Sequence, residues 1–142
     1  MKITRRAEHA VRAVLDLALH PSRDGGSRSL EIASRTGVPE KFLDVVLLDL
    51  KRAGIVASKR GPDGGHWLAS DPATLTVGTI LMAIDGSASI AATPERSAGG
   101  PAAVCVEGLW ASIAEAVRGV TDQITVEDLR RQAAEQVSDY SI

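Results

Sequence analysis

Apolar residues recur at a helical period from the start of the chain. Ile3, Ala7, Val11, Val14, Leu15, Ala18 and Leu19 share one face while Arg5, Arg6, Arg12 and Asp16 turn elsewhere, which predicts an amphipathic helix from residue 2 to about residue 20. Pro21 follows its end, and Ser22 to Ser27 is a loop by composition. Ser29 is placed to N-cap a short helix that stops at Gly37. Pro39 suits the first turn of a third helix reaching about Arg52, and Gly54 offers it a left-handed stop. The period then changes. Ile55 to Ser58 and His66 to Ala69 are short apolar runs on either side of Lys59-Arg60-Gly61-Pro62-Asp63-Gly64-Gly65, the pattern of a β hairpin with a long basic tip. Three helices followed by a hairpin predict a winged helix-turn-helix domain.

Thr76 opens a fourth helix with Val77, Ile80, Leu81 and Ile84 as its apolar face, ending at Asp85-Gly86. Residues 87 to about 101 are small and carry no period, so 87–104 is expected to be a flexible, sensor-type loop. Val106, Trp110, Ile113, Val117 and Val120 then form a long stripe, and Thr125 with Asp128 makes the capping box of a last helix. The expected fold class is mainly α with a small β hairpin. A winged helix-turn-helix domain occupies 1–86, and a dimerisation helix and C-terminal helix occupy 105–142. The stripe is long for a domain core and lies outside the winged helix, which favours a homodimer over a helix folded back on its own core.

Composition narrows the picture in two ways. With 142 residues, 44% hydrophobic, 24% charged and one cysteine, the chain has the make-up of one globular domain without disulfides, expected in the cytoplasm. It carries no apolar run of membrane-spanning length and no signal-peptide stretch. The net charge of -2 hides an asymmetry. Residues 1–70 hold 12 Lys and Arg against 8 Asp and Glu, a net +4, whereas residues 71–142 hold 4 against 10, a net -6. One half is suited to approach a polyanion.

On the third helix, Phe42, Leu43, Val46, Leu47 and Leu50 fall on one arc, expected to be core, and Lys41, Asp44, Val45, Leu48, Lys51 and Arg52 fall on the opposite one. A helix in the major groove uses such a face: Lys41, Asp44 and Val45 can meet base edges while Lys51 and Arg52 neutralise phosphates. It is equally the pattern of a solvated face with two exposed aliphatics. The hairpin tip is more specific. Lys59 and Arg60 precede Gly61 and Gly64, a composition that lets backbone approach phosphates while an arginine enters the minor groove. No Gly-Lys-Ser/Thr ending follows and no helix stands behind it, which argues against a nucleotide cradle. Thr4, Arg5 and Ser29 complete the candidate phosphate contacts. No nucleophile elbow, paired catalytic carboxylates or zinc motif is present, so an enzyme is not expected.

Three stretches together carry a resemblance. Lys2-Ile3-Thr4 before Ala10-Val11-Arg12-Ala13, Leu43 to Leu47 before Leu50-Lys51-Arg52-Ala53-Gly54-Ile55-Val56, and Arg60-Gly61-Pro62-Asp63-Gly64-Gly65-His66-Trp67-Leu68-Ala69 before Leu75-Thr76-Val77-Gly78 resemble the IscR/NsrR/CymR family of bacterial winged-helix regulators. The match is close over residues 1–86 and looser from Leu109-Trp110 onward. The resemblance implies a sequence-specific transcriptional regulator, a repressor, acting as a homodimer on a dyad-symmetric site in double-stranded DNA.

Many such regulators hold an iron-sulfur cluster through three cysteines before the long helix. Here Cys105 is alone, with Thr93, Ser97 and Gly99 at neighbouring positions, so a three-cysteine cluster is excluded by count. No resident cofactor or metal is expected. The alternatives are a mixed-ligand iron-sulfur cluster on Cys105, Glu8 and His9, or Cys105 itself as a redox sensor. A small-molecule effector or a partner enzyme is the other expected source of a signal, and a winged helix serving as a protein-protein module is the competing reading from another class.

Overall fold

The computed structural model describes residues 2–21, 25–96 and 98–140. Six helices and one hairpin follow in order: α1 (Arg5–Leu19), α2 (Ser29–Thr36), α3 (Glu40–Arg52), β1 (Val56–Lys59), β2 (Gly65–Leu68), α4 (Val77–Asp85), α5 (Pro101–Thr121) and α6 (Val126–Tyr140), with a single 3-10 turn at Gly86–Ala88. The mainly α class with a small hairpin is the observed one. Ser22 to Asp24, within the loop expected after α1, lie outside the described residues.

Helix α1 starts three residues later than its periodicity predicts because Thr4 takes the N-cap. Its hydroxyl accepts from the Ala7 amide at 3.1 Å and donates to Asp85 of α4 at 2.6 Å. The turn between α2 and α3 is set by Gly37, whose φ of 75° is the left-handed conformation that glycine adopts without strain. Ser29 does not cap α2. Arg28 is the cap residue, and Ser29 is the first helical residue with its Oγ 3.2 Å from His66 Nε2.

Ala10, Ala13, Val14, Leu17, Ile32, Leu43, Val46, Leu47, Leu50, Ile80 and Val126 make one continuous core. Small alanines on α1 let α2, α3, α4 and α6 all pack against it. Phe42, expected on the core arc of α3, is instead 47% exposed. Its ring stacks on His9 of α1 with centroids 6.1 Å apart, and Lys41 Nζ lies 4.9 Å above it. A part-buried bidentate pair also ties the helices: Arg35 of α2 donates to both carboxylate oxygens of buried Asp16 at 2.9–3.1 Å and reaches Ser27 Oγ at 2.8 Å.

Two boundaries differ from expectation. Helix α5 begins at Pro101, so residues 101–104 belong to it and the connection from α4 is shorter than the 87–104 loop; Ser89 and Ala91 within that connection are buried. The division at residue 86 does not separate α6 from the winged helix either. The chain returns through an antiparallel bridge, Val77 amide to Ile124 carbonyl at 2.9 Å and Val126 amide to Leu75 carbonyl at 2.9 Å, which delivers Val126 into the core. The capping box at the start of α6 forms as its sequence predicts, with Asp128 amide to Thr125 Oγ1 at 3.1 Å and Thr125 amide to Asp128 Oδ2 at 3.0 Å.

Candidate nucleic-acid interface

Helix α3 has three distinguishable sides besides its buried one. Phe42 leans on His9 and Asp49 pairs with Arg6, so one flank faces α1. Asp44 and Lys51 both act electrostatically on His66 of β2, which places the opposite flank toward the hairpin. Between the flanks, Lys41, Val45, Leu48 and Arg52 follow one another at spacings of four, three and four residues and form the outermost line. All four are exposed, Val45 to 52% and Leu48 to 48%. Leu48 was not among the base-contacting residues expected from sequence, although the wheel of α3 already put it on the outer arc.

The hairpin pairs Val56 with Leu68 and Lys59 with Gly65 in antiparallel register. Its tip is held against the rest of the domain at three points. Ser27 and His66 exchange backbone hydrogen bonds at 2.8 and 2.7 Å, and the Arg28 guanidinium donates to the Pro62 carbonyl. A Cβ on Gly65 would stand 2.7 Å from the Gly25 carbonyl oxygen, so Gly25, Gly26 and Gly65 mark a close backbone crossing that a Gly-rich composition alone did not reveal. Lys59, Arg60 and Gly61 at the tip are exposed, and among the described residues neither cation is in an ion pair. Gly61 has a φ of 107°, which excludes ordinary side chains there.

Behind these surfaces His66 is half-buried, and among the described residues its Nδ1 has no hydrogen-bond partner. Burial pushes its pKa below the ordinary 6.5, the Asp44 carboxylate opposes that shift, and the Lys51 ammonium adds to it. Of the remaining expected contacts, Arg5 is exposed in the first turn of α1 and Ser29 lies beside β2. The Thr4 hydroxyl is already used by the cap and by Asp85. Lys41, Asp44, Val45, Lys51, Arg52, Lys59, Arg60 and Gly64 are thus brought to α3 and the adjoining wing, whereas Thr4 is committed to holding α1 on α4.

Away from this face, α5 is 21 residues long and buries only Ala114. Val106 and Trp110 are 45% and 48% exposed in its first half; Ile113, Val117 and Val120 border an open apolar groove of about 840 Å³ shared with Ile3, Val11 and Leu15 of the α1 region. A smaller cleft of about 570 Å³ lies between residues 93–96 and the first half of α5, with Glu95, Glu107 and Trp110 in its walls.

The chain matches known regulators over most of its length. A family model described as Rrf2, iron-dependent transcriptional regulator, matches residues 3–132. This chain belongs to the Rrf2 family. The Rrf2 chain is 34% identical over 131 residues to the HTH-type transcriptional regulator IscR of Serratia proteamaculans, covering 91% of this chain and 79% of that protein. It is 33% identical over 132 residues to IscR of Photobacterium profundum, covering 92% and 76%. Among solved structures it superposes on CymR, the global cysteine regulator of B. subtilis, with a TM-score of 0.77 and 30% identity over 93% of this chain and 98% of that one. T. potens IscR gives a TM-score of 0.77 and 29% identity over 96% and 90%. The protein is a DNA-binding transcriptional regulator and not an enzyme, and among the described residues no helix is long and apolar enough to cross a membrane.

The iron dependence in the family description meets a poor donor set in this Rrf2 chain. Cys105 is exposed near the start of α5. Glu8 is paired with Arg12, and the His9 ring is stacked on Phe42. Among the described residues no three His, Cys, Asp or Glu side chains are grouped closely enough to hold a metal. Cys105, Glu8 and His9 are therefore not assembled into an iron-sulfur site within one protomer.

Proposed function

We propose that this regulator works in the cytoplasm as a homodimeric repressor that binds a dyad-symmetric promoter site without a resident iron-sulfur cluster. The observation that carries the reading is the bare stripe of α5. A 21-residue helix with one buried residue, running beside an apolar groove, has its missing packing supplied by the α5 of a second copy. A two-fold axis there presents two α3 helices and two wings to successive major grooves, about 34 Å apart. In each half, Lys41, Asp44 and Val45 meet bases, Lys59, Arg60 and Gly61 enter the minor groove, and Arg5, Ser29, Lys51 and Arg52 approach phosphates. Occupation of a promoter by this dimer excludes polymerase. The signal enters as a small effector in the cleft at Glu95 and Trp110, next to the stripe it would disturb.

Sedimentation equilibrium together with fluorescence anisotropy on a dyad duplex and on its half-site tests this. The expected result is two protomers per dyad duplex. Trp110→Glu should give a monomer whose dyad affinity is roughly a hundred-fold weaker, the loss of one interface hot spot. A wild-type monomer at micromolar concentration that binds half-site and dyad equally would refute the dimer. An absorption spectrum on protein purified without oxygen addresses the cofactor: visible charge-transfer bands with stoichiometric iron would overturn its assigned absence.

A further inference from the structure

The outermost line of α3 has an unusual centre for a surface facing a polyanion. Its ends, Lys41 and Arg52, are cations; its middle, Val45 and Leu48, is aliphatic and about half exposed. Neither middle side chain has a donor or acceptor. The hydrogen-bonding groups adjacent to them in sequence sit on the two flanks, Asp44 turned toward His66 and the wing and Asp49 paired with Arg6 of α1. If this face meets DNA, the part of α3 that reaches deepest offers the groove only methyl groups. The single apolar group on a major-groove base edge is the C5-methyl of thymine.

We propose that Val45 and Leu48 form a methyl-reading ridge that specifies thymine at two nearby positions of each half-site, and that Leu48 is a specificity-determining residue alongside Val45. The ridge rests on the reading of α3 as the DNA-facing helix. Three residues of helix advance about 4.5 Å along the axis, close to the roughly 3.4 Å step between stacked bases, so both side chains reach methyls on adjacent or next-adjacent pairs. The flanking Lys41 and Arg52, with exposed Lys59 and Arg60 on the wing, supply the charge that commits this apolar ridge to a nucleic acid. Contact by methyl groups explains why two large aliphatics stay in solvent in the free protein: each buries its surface only when the duplex arrives.

The test uses the full-length protein and the duplex that it enriches from a randomised double-stranded library. Each thymine of a half-site is replaced in turn by deoxyuridine, which removes the methyl and leaves every hydrogen-bonding group in place. Wild-type protein should lose about four-fold in affinity at each of two positions. Leu48→Ala should lose the penalty at one position and Val45→Ala at the other, each keeping an unaltered thermal melt because both sites are on the surface. A deoxyuridine penalty that persists undiminished in both variants, or an enriched site with no thymine in the half-site, would overturn the ridge while leaving DNA recognition standing. Variants with wild-type affinity and wild-type preference would overturn it in favour of a protein-docking role for the same face. Failure to enrich any sequence would sink both this inference and the regulator's proposed site-specific binding.

Discussion

The winged-helix half and α5 spend the same kind of residue in opposite ways. In the first, Leu43, Leu47 and Leu50 of α3 are essentially inaccessible, packed on α1 alanines within a single copy. In the second, Val104, Leu109, Trp110 and Val120 are each about half exposed or more, on a helix longer than any other in the molecule. Apolar periodicity alone is therefore a statement about a face and not about its partner. The difference teaches that the core of the monomer is complete before α5 contributes, since α6, not α5, returns Val126 to it.

Substitutions on the two sides should separate accordingly. Leu50→Ala opens a cavity in a finished core, and chemical denaturation should show a loss of about 2–5 kcal/mol. Arg60→Ala removes an exposed cation from the wing tip; anisotropy titrations should show a roughly ten-fold weaker affinity across sequences and a salt slope shallower by about one. Thr4→Ala strips α1 of its cap and of the link to Asp85, and should cost about 1 kcal/mol in the same denaturation assay. His66 sharpens the picture by pH. Because folding lowers its pKa, the neutral ring contributes stability that is present above pH 6.5 and lost as pH falls through the folded value. Urea midpoints measured between about pH 7.5 and about pH 5 should thus fall less for His66→Gln than for wild type. The smallest change belongs to α5: Val106→Ala, measured at a dilution where the chain is monomeric, should alter the melting free energy by no more than about 0.5 kcal/mol. A large loss there would mean that the stripe already packs within one copy.

Most elements were legible because their signals are local. The left-handed glycine after α2, the Thr76 cap of α4 and the Thr125–Asp128 box all lie within four residues of what they control. The misreadings share a physical cause, an interaction from far along the chain. Ser29 is drawn from the cap by His66, 37 residues away, and Phe42 leaves the core arc because His9 of α1 offers its ring a surface partner. The return of α6 depends on a bridge between Thr76 and Thr125 that no window of sequence contains. The candidate interface fared similarly. Its cations and wing were readable from composition and the helical wheel already placed Leu48 on the outer arc of α3, but only packing shows that Asp44 turns to a flank and that Leu48 is left half exposed.

The three ties at the hairpin, Ser27 to His66, Arg28 to Pro62 and the crossing of Gly25-Gly26 with Gly65, bear on how association proceeds. A glycine-rich tip left to itself would sample many shapes and surrender that freedom on docking. Fastened at its base and at its turn, the wing is a stiff prong whose ordering is settled during folding. If the wing docks on a duplex as proposed, its backbone leaves little freedom to surrender on binding.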